Sequence, residues 1–284
     1  MPELRRRDLA RESVAVPLRI HVGLARDEAM PDLRLAAAGR AVFQLRRDRT
    51  VTGTMRLTGR CMEILEMMRA ARWLTTGQIR RRFFGRASLD AARKRLRKLG
   101  GGEYIRRVQE KRGYEALFTL GREGKRAMEK KGAAEIILER QPPRQREHLL
   151  GINDVRIAAE LAGSLSYFFS AWELPALKWR HAIIPDALFC MNGATFAVEL
   201  DRGMEGIRYF VRTKIKVYER GLEGLPLAGL LVVADRPARM EALARAIHGT
   251  YLTVLFTTLD LVRRHGLNDP IFCRRPGGQL ERVR

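Results

Sequence analysis

The chain has 284 residues, of which 46% are hydrophobic, so its length and composition suffice for two domains that each bury a core. It holds 54 basic and 32 acidic residues, and its net charge of +22 favours nucleic acid or an anionic surface over small acidic substrates. No apolar run is long enough for a membrane span, and the charged N-terminus lacks the apolar stretch of a secretory signal. The three cysteines form neither a zinc-binding spacing nor a disulfide framework, which favours the reducing cytoplasm: Cys61, Cys190 and Cys273.

The positive charge is concentrated in one part of the chain. Residues 1–58 carry few structural signals, and we predict an N-terminal arm or extension, either a basic arm on phosphates or a solvated tail. Residues 59–132, which we call the basic module, hold 21 basic and 8 acidic side chains, more than half of the net charge. This uneven distribution indicates a localised binding surface.

The hydrophobic spacing of the basic module predicts three helices, a hairpin and a short closing helix. The first helix covers about residues 60–72, and Thr75-Thr76 can cap the second. Ser88 caps a third helix, which Gly100 ends. Two β-prone runs flank a polar turn at Lys111-Arg112-Gly113, and they predict the hairpin.

This order of elements is typical of a winged helix-turn-helix, and we predict a winged-helix DNA-binding domain at residues 59–140. In that fold the third helix can enter the major groove, where Lys94 and Arg97 are the predicted base-edge contacts. The other predicted DNA contacts are the helix start and basic side chains of the helix and wing: Ser88, Arg93, Arg95, Lys98, Arg106, Arg107, Lys111 and Arg112. A solvated basic face and a protein-binding winged helix remain as alternatives.

A Pro-Pro linker at residues 141–144 separates the basic module from a second predicted domain, residues 145–260, followed by a C-terminal tail, residues 261–284. The pattern predicts an α/β domain with a mixed sheet, in a chain that is α+β overall. Its predicted elements are helix 147–162, strands 165–172, 182–191 and 194–201, helix 205–220, strand 227–234, helix 237–248 and strand 251–258.

The chemistry is predicted around a tight turn at Asn192-Gly193, a strong two-residue hairpin signal. The turn places Asp186 opposite Glu199, with Cβ atoms about 5 Å apart on one face of the sheet. Asp201, two residues further, projects to the same face. Because buried carboxylates need compensation and their oxygens suit Mg²⁺ or Mn²⁺, we predict Asp186, Glu199 and Asp201 as metal ligands.

Lys214 lies within the apolar face of the next predicted helix, and a lysine on a buried face usually meets an anion. Asp186 and Glu199 are the predicted partners. A structural ion pair at the edge of the helix is the alternative.

These residues resemble a known nuclease pattern. Pro185-Asp186, with Glu199 thirteen positions later, is similar to the PD-(D/E)XK pattern, and the αβββαβ order agrees with that superfamily. The chain departs from the pattern at Asp201, which stands where the lysine is expected. Lys214, with Tyr218 four residues on, resembles the relocated lysine of some nuclease branches.

The combination is more specific than its parts. A winged helix followed by HLLGINDVRIA, PDALF, FAVELDRG and KIKVY is similar to the replication-relaxation family of plasmid and mobile-element proteins, over roughly residues 60–235. The resemblance implies a cytoplasmic, nucleoid- or plasmid-associated protein that binds double-stranded DNA in replication or DNA relaxation, with no cofactor needed for binding. Replication or relaxosome proteins are the implied partners, and a homodimer is a further candidate.

The resemblance leaves the catalytic question open. In an active nuclease, Asp186 and Glu199 would hold Mg²⁺ or Mn²⁺, Asp201 would be a third ligand, and Lys214 would be the general base or charge stabiliser. Because the lysine is displaced, we favour a non-catalytic nuclease-like domain. A metal-dependent DNA endonuclease and a winged-helix transcription regulator are the alternatives.

Overall fold

The computed structural model describes residues 56–108, 115–133, 136–220, 222, 225–247 and 249–282. The predicted arm, apart from residues 56–58, and the predicted wing turn with Lys111 and Arg112 lie outside the described residues. Within the described ranges, no helix combines the length and the apolar composition that crossing a membrane requires.

The basic module contains the predicted helices and hairpin strands in the predicted order. Its elements are α1 Gly59–Ala71, β1 Leu74–Thr75, α2 Thr76–Phe83, α3 Leu89–Gly101, β2 Ile105–Val108, β3 Leu117–Leu120 and α4 Arg122–Glu129. The three strands form an antiparallel sheet in the order β1-β3-β2. The short strand β1 was not predicted, since two residues carry no periodic signal.

Side-chain caps fix where the helices of the basic module begin. Thr75 forms a capping box with Gln78 at the start of α2, and the Ser88 hydroxyl accepts a hydrogen bond from the Ala91 N–H at the start of α3. Both predicted caps are therefore confirmed. Helix α3 runs one residue past the predicted end at Gly100, to Gly101.

The second half of the chain is built on a mixed five-stranded sheet in the order β4-β5-β6-β7-β8, antiparallel from β4 to β6 and parallel from β6 to β8. Its elements are α5 Arg146–Leu161, β4 Leu165–Ser170, β5 Ala187–Met191, β6 Ala194–Asp201, α6 Ile207–Phe210, a π-turn Val211–Ile215, α7 Lys216–Glu219, β7 Gly229–Ala234, α8 Pro237–Ala246, β8 Val254–Thr258 and α9 Leu259–His265. The chain is thus a mixed α/β protein, as predicted.

The alternation of strand β6 divides its side chains between two layers. Val198 and Leu200 pack in the core with Ile152 and Val155 of α5. Glu199 points to the opposite face, toward the helical segment Ile207–Glu219. We call this segment, made of α6, the π-turn and α7, the π-containing helix.

Most predicted boundaries of this half shift by one to three residues, and three differences are larger or change the structure of an element. Strand β5 begins at Ala187 rather than at residue 182, because Pro185 cannot donate a ladder hydrogen bond. The predicted helix 205–220 contains a π-turn, Val211–Ile215. Beyond residue 260, α9 continues and Phe272 and Cys273 are buried, with Cys273 bridging to Phe256 of β8. The C-terminal segment therefore contributes to the core.

The basic module packs directly on helix α5. The Asn153 amide donates to the carbonyl oxygens of Ala71 and Trp73 at 3.0 and 2.8 Å. Ile157 is buried within the core of the basic module. The Trp172 indole donates to the Ala70 carbonyl at 2.8 Å. These buried contacts join the three-stranded and five-stranded sheets through one helix.

Candidate functional site

The hairpin β5-β6 has the predicted turn and register. Met191 pairs with Ala194, and the ladder runs back to the pair of Ala187 with Val198. Asn192 and Gly193 both have positive φ, 53° and 79°, as the tight hairpin turn requires. Asp186 therefore lies one position beyond the ladder, at the level of Glu199.

Asp186 is held between a backbone amide and a histidine. Its Oδ2 accepts a hydrogen bond from the Leu200 N–H at 2.8 Å, and its Oδ1 lies 2.9 Å from His148 Nε2. His148 comes from the first turn of α5. His148 was not among the predicted site residues. The contact depends on how α5 packs on the sheet, which no local pattern reports.

Glu199 is the buried centre of the site, with 1% of its surface exposed. Its Oε2 accepts from Lys214 Nζ at 2.7 Å, and its Oε1 accepts from the Tyr218 hydroxyl at 2.6 Å. The predicted meeting of Lys214 with an anion is therefore present. Lys216, two residues after Lys214, is exposed and pairs with Glu219.

The π-turn positions the two donors. Lys214 lies within the π-turn, and Tyr218 follows on α7, so both side chains reach the same carboxylate. Single π-turns inside helices are frequent at functional sites. The sequence signal was the placement of Lys214 and Tyr218 on the buried face, whereas the π-turn itself left no recognisable pattern.

Burial dominates the electrostatics of the site. Burial, together with the nearby charge of Asp186, raises the pKa of Glu199 to about 7, against the opposing effect of Lys214 and Tyr218. Burial acts to lower the pKa of Lys214, but the carboxylates of Glu199 and Asp186 outweigh it and raise that pKa. The pKa of the Tyr218 hydroxyl is raised by burial and by Glu199. Near neutral pH, Lys214 is charged and Tyr218 remains a donor.

Asp201, the third predicted metal ligand, has a different partner. Its two carboxylate oxygens accept from Nε and Nη2 of Arg239 at 2.8 and 2.9 Å, and Oδ1 also accepts from the Gly203 N–H at 2.7 Å. Arg239 belongs to α8, which follows the strand that pairs in parallel with β6. Asp201 is therefore part of a bidentate ion pair, and sequence reasoning missed the arginine.

The three carboxylates do not fit the predicted divalent ion in this arrangement. Each carboxylate oxygen of Asp186, Glu199 and Asp201 already has a hydrogen-bonding partner. Across the described ranges, no three His, Cys, Asp or Glu side chains are grouped as a metal ion would need. The Lys214 ammonium lies 2.7 Å from Glu199 Oε2 and compensates the charge of this carboxylate.

The outer face of α3 is an exposed part of the predicted DNA interface. Lys94, Arg97 and Lys98 are exposed and form no ion pair with any residue that the structure describes. Arg93 is exposed and makes a loose pair with Asp90 at 3.5 Å. This face therefore presents uncompensated positive charge.

Other predicted DNA contacts have roles inside the protein. The Arg95 guanidinium donates to the Cys61 sulfur at 3.4 Å, and Ser88 serves as the cap of α3. Arg106 donates to the Glu139 and Arg140 carbonyl oxygens and lies over the Trp73 ring. Arg107, by contrast, is exposed on β2.

Arg86 is also exposed, in the loop before α3. It was not among the predicted DNA contacts, although its position between two basic helices indicated a possible contact.

The family model described as replication-relaxation matches residues 65–225, which is more than half of the chain. No curated protein and no solved structure matches.

Proposed function

Because the chain belongs to the replication-relaxation family, we propose that it binds double-stranded DNA in the replication or DNA relaxation of a plasmid or mobile element. The observation that carries the proposal is the exposed, uncompensated basic face of α3. In this proposal the protein acts in the cytoplasm, on the nucleoid or a plasmid, and needs no cofactor to bind. Replication or relaxosome proteins, and a second copy of the chain, are its proposed partners.

The basic module would act as a winged helix. Helices α1 to α3 precede the hairpin strands β2 and β3, and β1 completes a three-stranded sheet, an order that supports this assignment. In winged helices the helix equivalent to α3 lies in the major groove. Lys94 and Arg97 would then face base edges, while Arg93 and Lys98 would face phosphates.

The second half would be a nuclease-like domain that does not cleave DNA. The order of α5, the strands β4 to β6, the π-containing helix and β7 supports a PD-(D/E)XK-like fold. The engaged oxygens of Asp186, Glu199 and Asp201 support a structural role for the carboxylates.

The duplex-binding proposal is tested with the double variant Lys94→Ala and Arg97→Ala. We expect at least a tenfold loss of affinity for duplex DNA, because two charged contacts to bases are removed. The control removes the same charge elsewhere, at the exposed Arg275 and Arg282. Equal affinities of both double variants would show that α3 is not the binding surface. A salt-independent affinity of the wild type would contradict phosphate binding altogether.

The meeting of Asp186, Glu199 and Lys214 at one site also keeps a second candidate, a Mn²⁺- or Mg²⁺-dependent DNA endonuclease. Supercoiled plasmid incubated with the protein and Mn²⁺ separates the two candidates. We expect no nicking above the level given by Asp186→Ala. Nicking by the wild type that Asp186→Ala and Glu199→Ala both abolish would establish the enzyme instead.

A further inference from the structure

The outer face of the π-containing helix carries a second basic surface, on the side away from Lys214 and Tyr218. Four basic residues recur at every fourth position and are all exposed: Arg208, Arg212 and Lys216 on the helix, and Arg220, which caps its C-terminal end. We call them the basic stripe. We propose that the basic stripe, together with the exposed ring of Tyr209, binds single-stranded DNA.

The spacing of the basic stripe suits a polyanion. Residues four apart are neighbours on a helix surface, and the α-helical rise of 1.5 Å per residue would place successive members about 6 Å apart along the axis. The π-turn Val211–Ile215, which includes Arg212, departs locally from this regular geometry. A nucleic-acid strand carries negative charge at a similarly regular interval along its backbone. The stripe therefore matches an extended phosphate backbone better than it matches a small anion, which would engage one or two of its members.

The basic stripe is not neutralised by the protein itself. Arg208, Arg212 and Arg220 form no ion pair with any residue in the described part of the chain, and Lys216 pairs with Glu219 at its flank. Like charges four residues apart on a helix repel one another. A bound polyanion would offset this repulsion. Binding would also release the counterions of the nucleic acid, and this release is the main source of affinity in such complexes.

The exposed ring of Tyr209 favours single-stranded DNA over duplex DNA as the ligand. Its side chain lies next to Arg208 on the same helix and is 58% exposed, although large aromatic side chains are usually covered. Met204, in the loop before the helix, is 88% exposed. Exposed aromatic rings beside basic side chains stack with unpaired bases, whereas the bases of a duplex are stacked on one another. The combination therefore favours a single strand.

This inference goes beyond the proposed function, because it concerns another face of the protein and another form of DNA. It needs neither the winged-helix assignment nor a catalytic role for the carboxylates. The two ideas can therefore fail separately, and one set of variants distinguishes them.

The first test measures binding of a labelled short oligothymidine by fluorescence anisotropy. In the triple variant Arg208→Gln, Arg212→Gln and Arg220→Gln, we expect at least a tenfold loss of affinity. The slope of log affinity against log salt should fall by about 2, since each single-strand phosphate contact contributes roughly 0.7. The matched control replaces three exposed arginines elsewhere with Gln: Arg264, Arg275 and Arg282. An equal loss in the control, or no loss in the triple variant, would overturn the proposal.

The second test isolates the stacking. Tyr209→Leu should weaken oligothymidine binding roughly tenfold, whereas Tyr209→Phe, which keeps the ring, should bind as the wild type does. Unchanged binding by Tyr209→Leu would overturn the choice of a single strand. Melting temperatures establish that each variant is folded, and single arginine replacements, each with a smaller loss, serve if the triple variant is not.

The variant Lys94→Ala and Arg97→Ala completes the set. We expect it to lose duplex affinity while retaining oligothymidine affinity. If it loses neither, the proposed function fails while the basic stripe stands. If it loses oligothymidine affinity as strongly as the triple variant does, the stripe is not a separate site.

Discussion

Glu199 is an acidic side chain buried between strand β6 and the π-containing helix. An ionised carboxylate at such a position is costly to bury. Lys214 and Tyr218 lower this cost with one hydrogen bond to each oxygen. The cost is not fully removed, because the pKa of Glu199 remains raised to about 7.

The raised pKa predicts how stability depends on pH. The folded protein holds the proton of Glu199 up to about pH 7, whereas the ordinary pKa is 4.5, so the folded state binds more protons between these values. The contribution of Glu199 to stability is therefore greatest below pH 4.5 and is lost as the pH rises to 7, by about 3 kcal/mol. The variant Glu199→Gln keeps a side chain of the same shape but cannot titrate, so we expect it not to lose this stability as the pH rises.

The measurement is urea unfolding of the wild type and of Glu199→Gln at pH 5 and pH 8. We expect the free energy of unfolding of the wild type, relative to the variant, to decrease between the two pH values. Taking the difference between the proteins cancels the titration of groups that they share. A constant or increasing difference would mean that Glu199 is not the buried titrating group.

At the scale of single elements, the fit of α4 against β2 depends on a glycine. A Cβ added at Gly124 would lie 2.1 Å from the Tyr104 carbonyl oxygen, a backbone atom that cannot move aside independently. We expect Gly124→Ala to lower the free energy of unfolding by more than about 2 kcal/mol, because α4 must shift away from the strand.

Gly100, near the end of α3, is the matched control. A Cβ at Gly100 meets no atom within 4 Å, and alanine is the better helix former, so Gly100→Ala should raise stability by up to about 1 kcal/mol. Urea unfolding of both variants measures the contrast. Similar stability of the two variants would show that α4 does not pack against the strand at this distance.

The elements that could be predicted are those whose signals are local. The Asn192-Gly193 turn determined the register of β5 and β6, and the caps Thr75 and Ser88 determined two helix starts. The strand β1 and the packing of α9 could not be predicted, because both depend on contacts with distant parts of the chain.

Within the candidate site, too, local signals could be predicted and contacts with distant parts of the chain could not. The pairing of Lys214 with Glu199 followed from one helix face and one strand face. The partner Arg239 of Asp201 was not predicted, because it lies 38 residues further along the chain and is brought close by the parallel pairing of β6 with β7. Local spacing locates an acidic side chain on a face but does not identify the side chain that neutralises it.

At the scale of the whole molecule, Asp154 links three parts of the chain. It is 3% exposed on α5. Its Oδ1 accepts from the Gln78 amide at 2.8 Å and from the Arg81 guanidinium, and its Oδ2 accepts from Arg263 Nε at 2.6 Å. Gln78 and Arg81 belong to α2 of the basic module, and Arg263 belongs to α9. One buried carboxylate therefore holds the basic module and the C-terminal segment on the same helix.

We expect this link to make unfolding cooperative across both sheets. Asp154→Ala removes an acceptor from the buried Gln78 amide and the partner of two partly exposed arginines, Arg81 and Arg263. It should therefore lower the free energy of unfolding by about 1 to 3 kcal/mol, and the melting temperature with it. Glu241→Ala, which breaks an exposed i,i+4 pair with Arg245, should change stability by less than about 0.5 kcal/mol.

Calorimetry is the measurement, since it reports both stability and the number of transitions. The wild type should melt in one transition, because Asn153 and Ile157 also tie α5 to the basic module. In Asp154→Ala the basic module loses one of its ionic attachments to α5, while the ion pair of Arg82 with Glu160 remains, so the transition should broaden or separate into two. Two transitions in the wild type, or one unshifted transition in Asp154→Ala, would mean that the α5 contacts do not couple the sheets. The orientation of the basic face of α3 relative to the basic stripe would then not be fixed, since α3 would be carried by an independently unfolding unit.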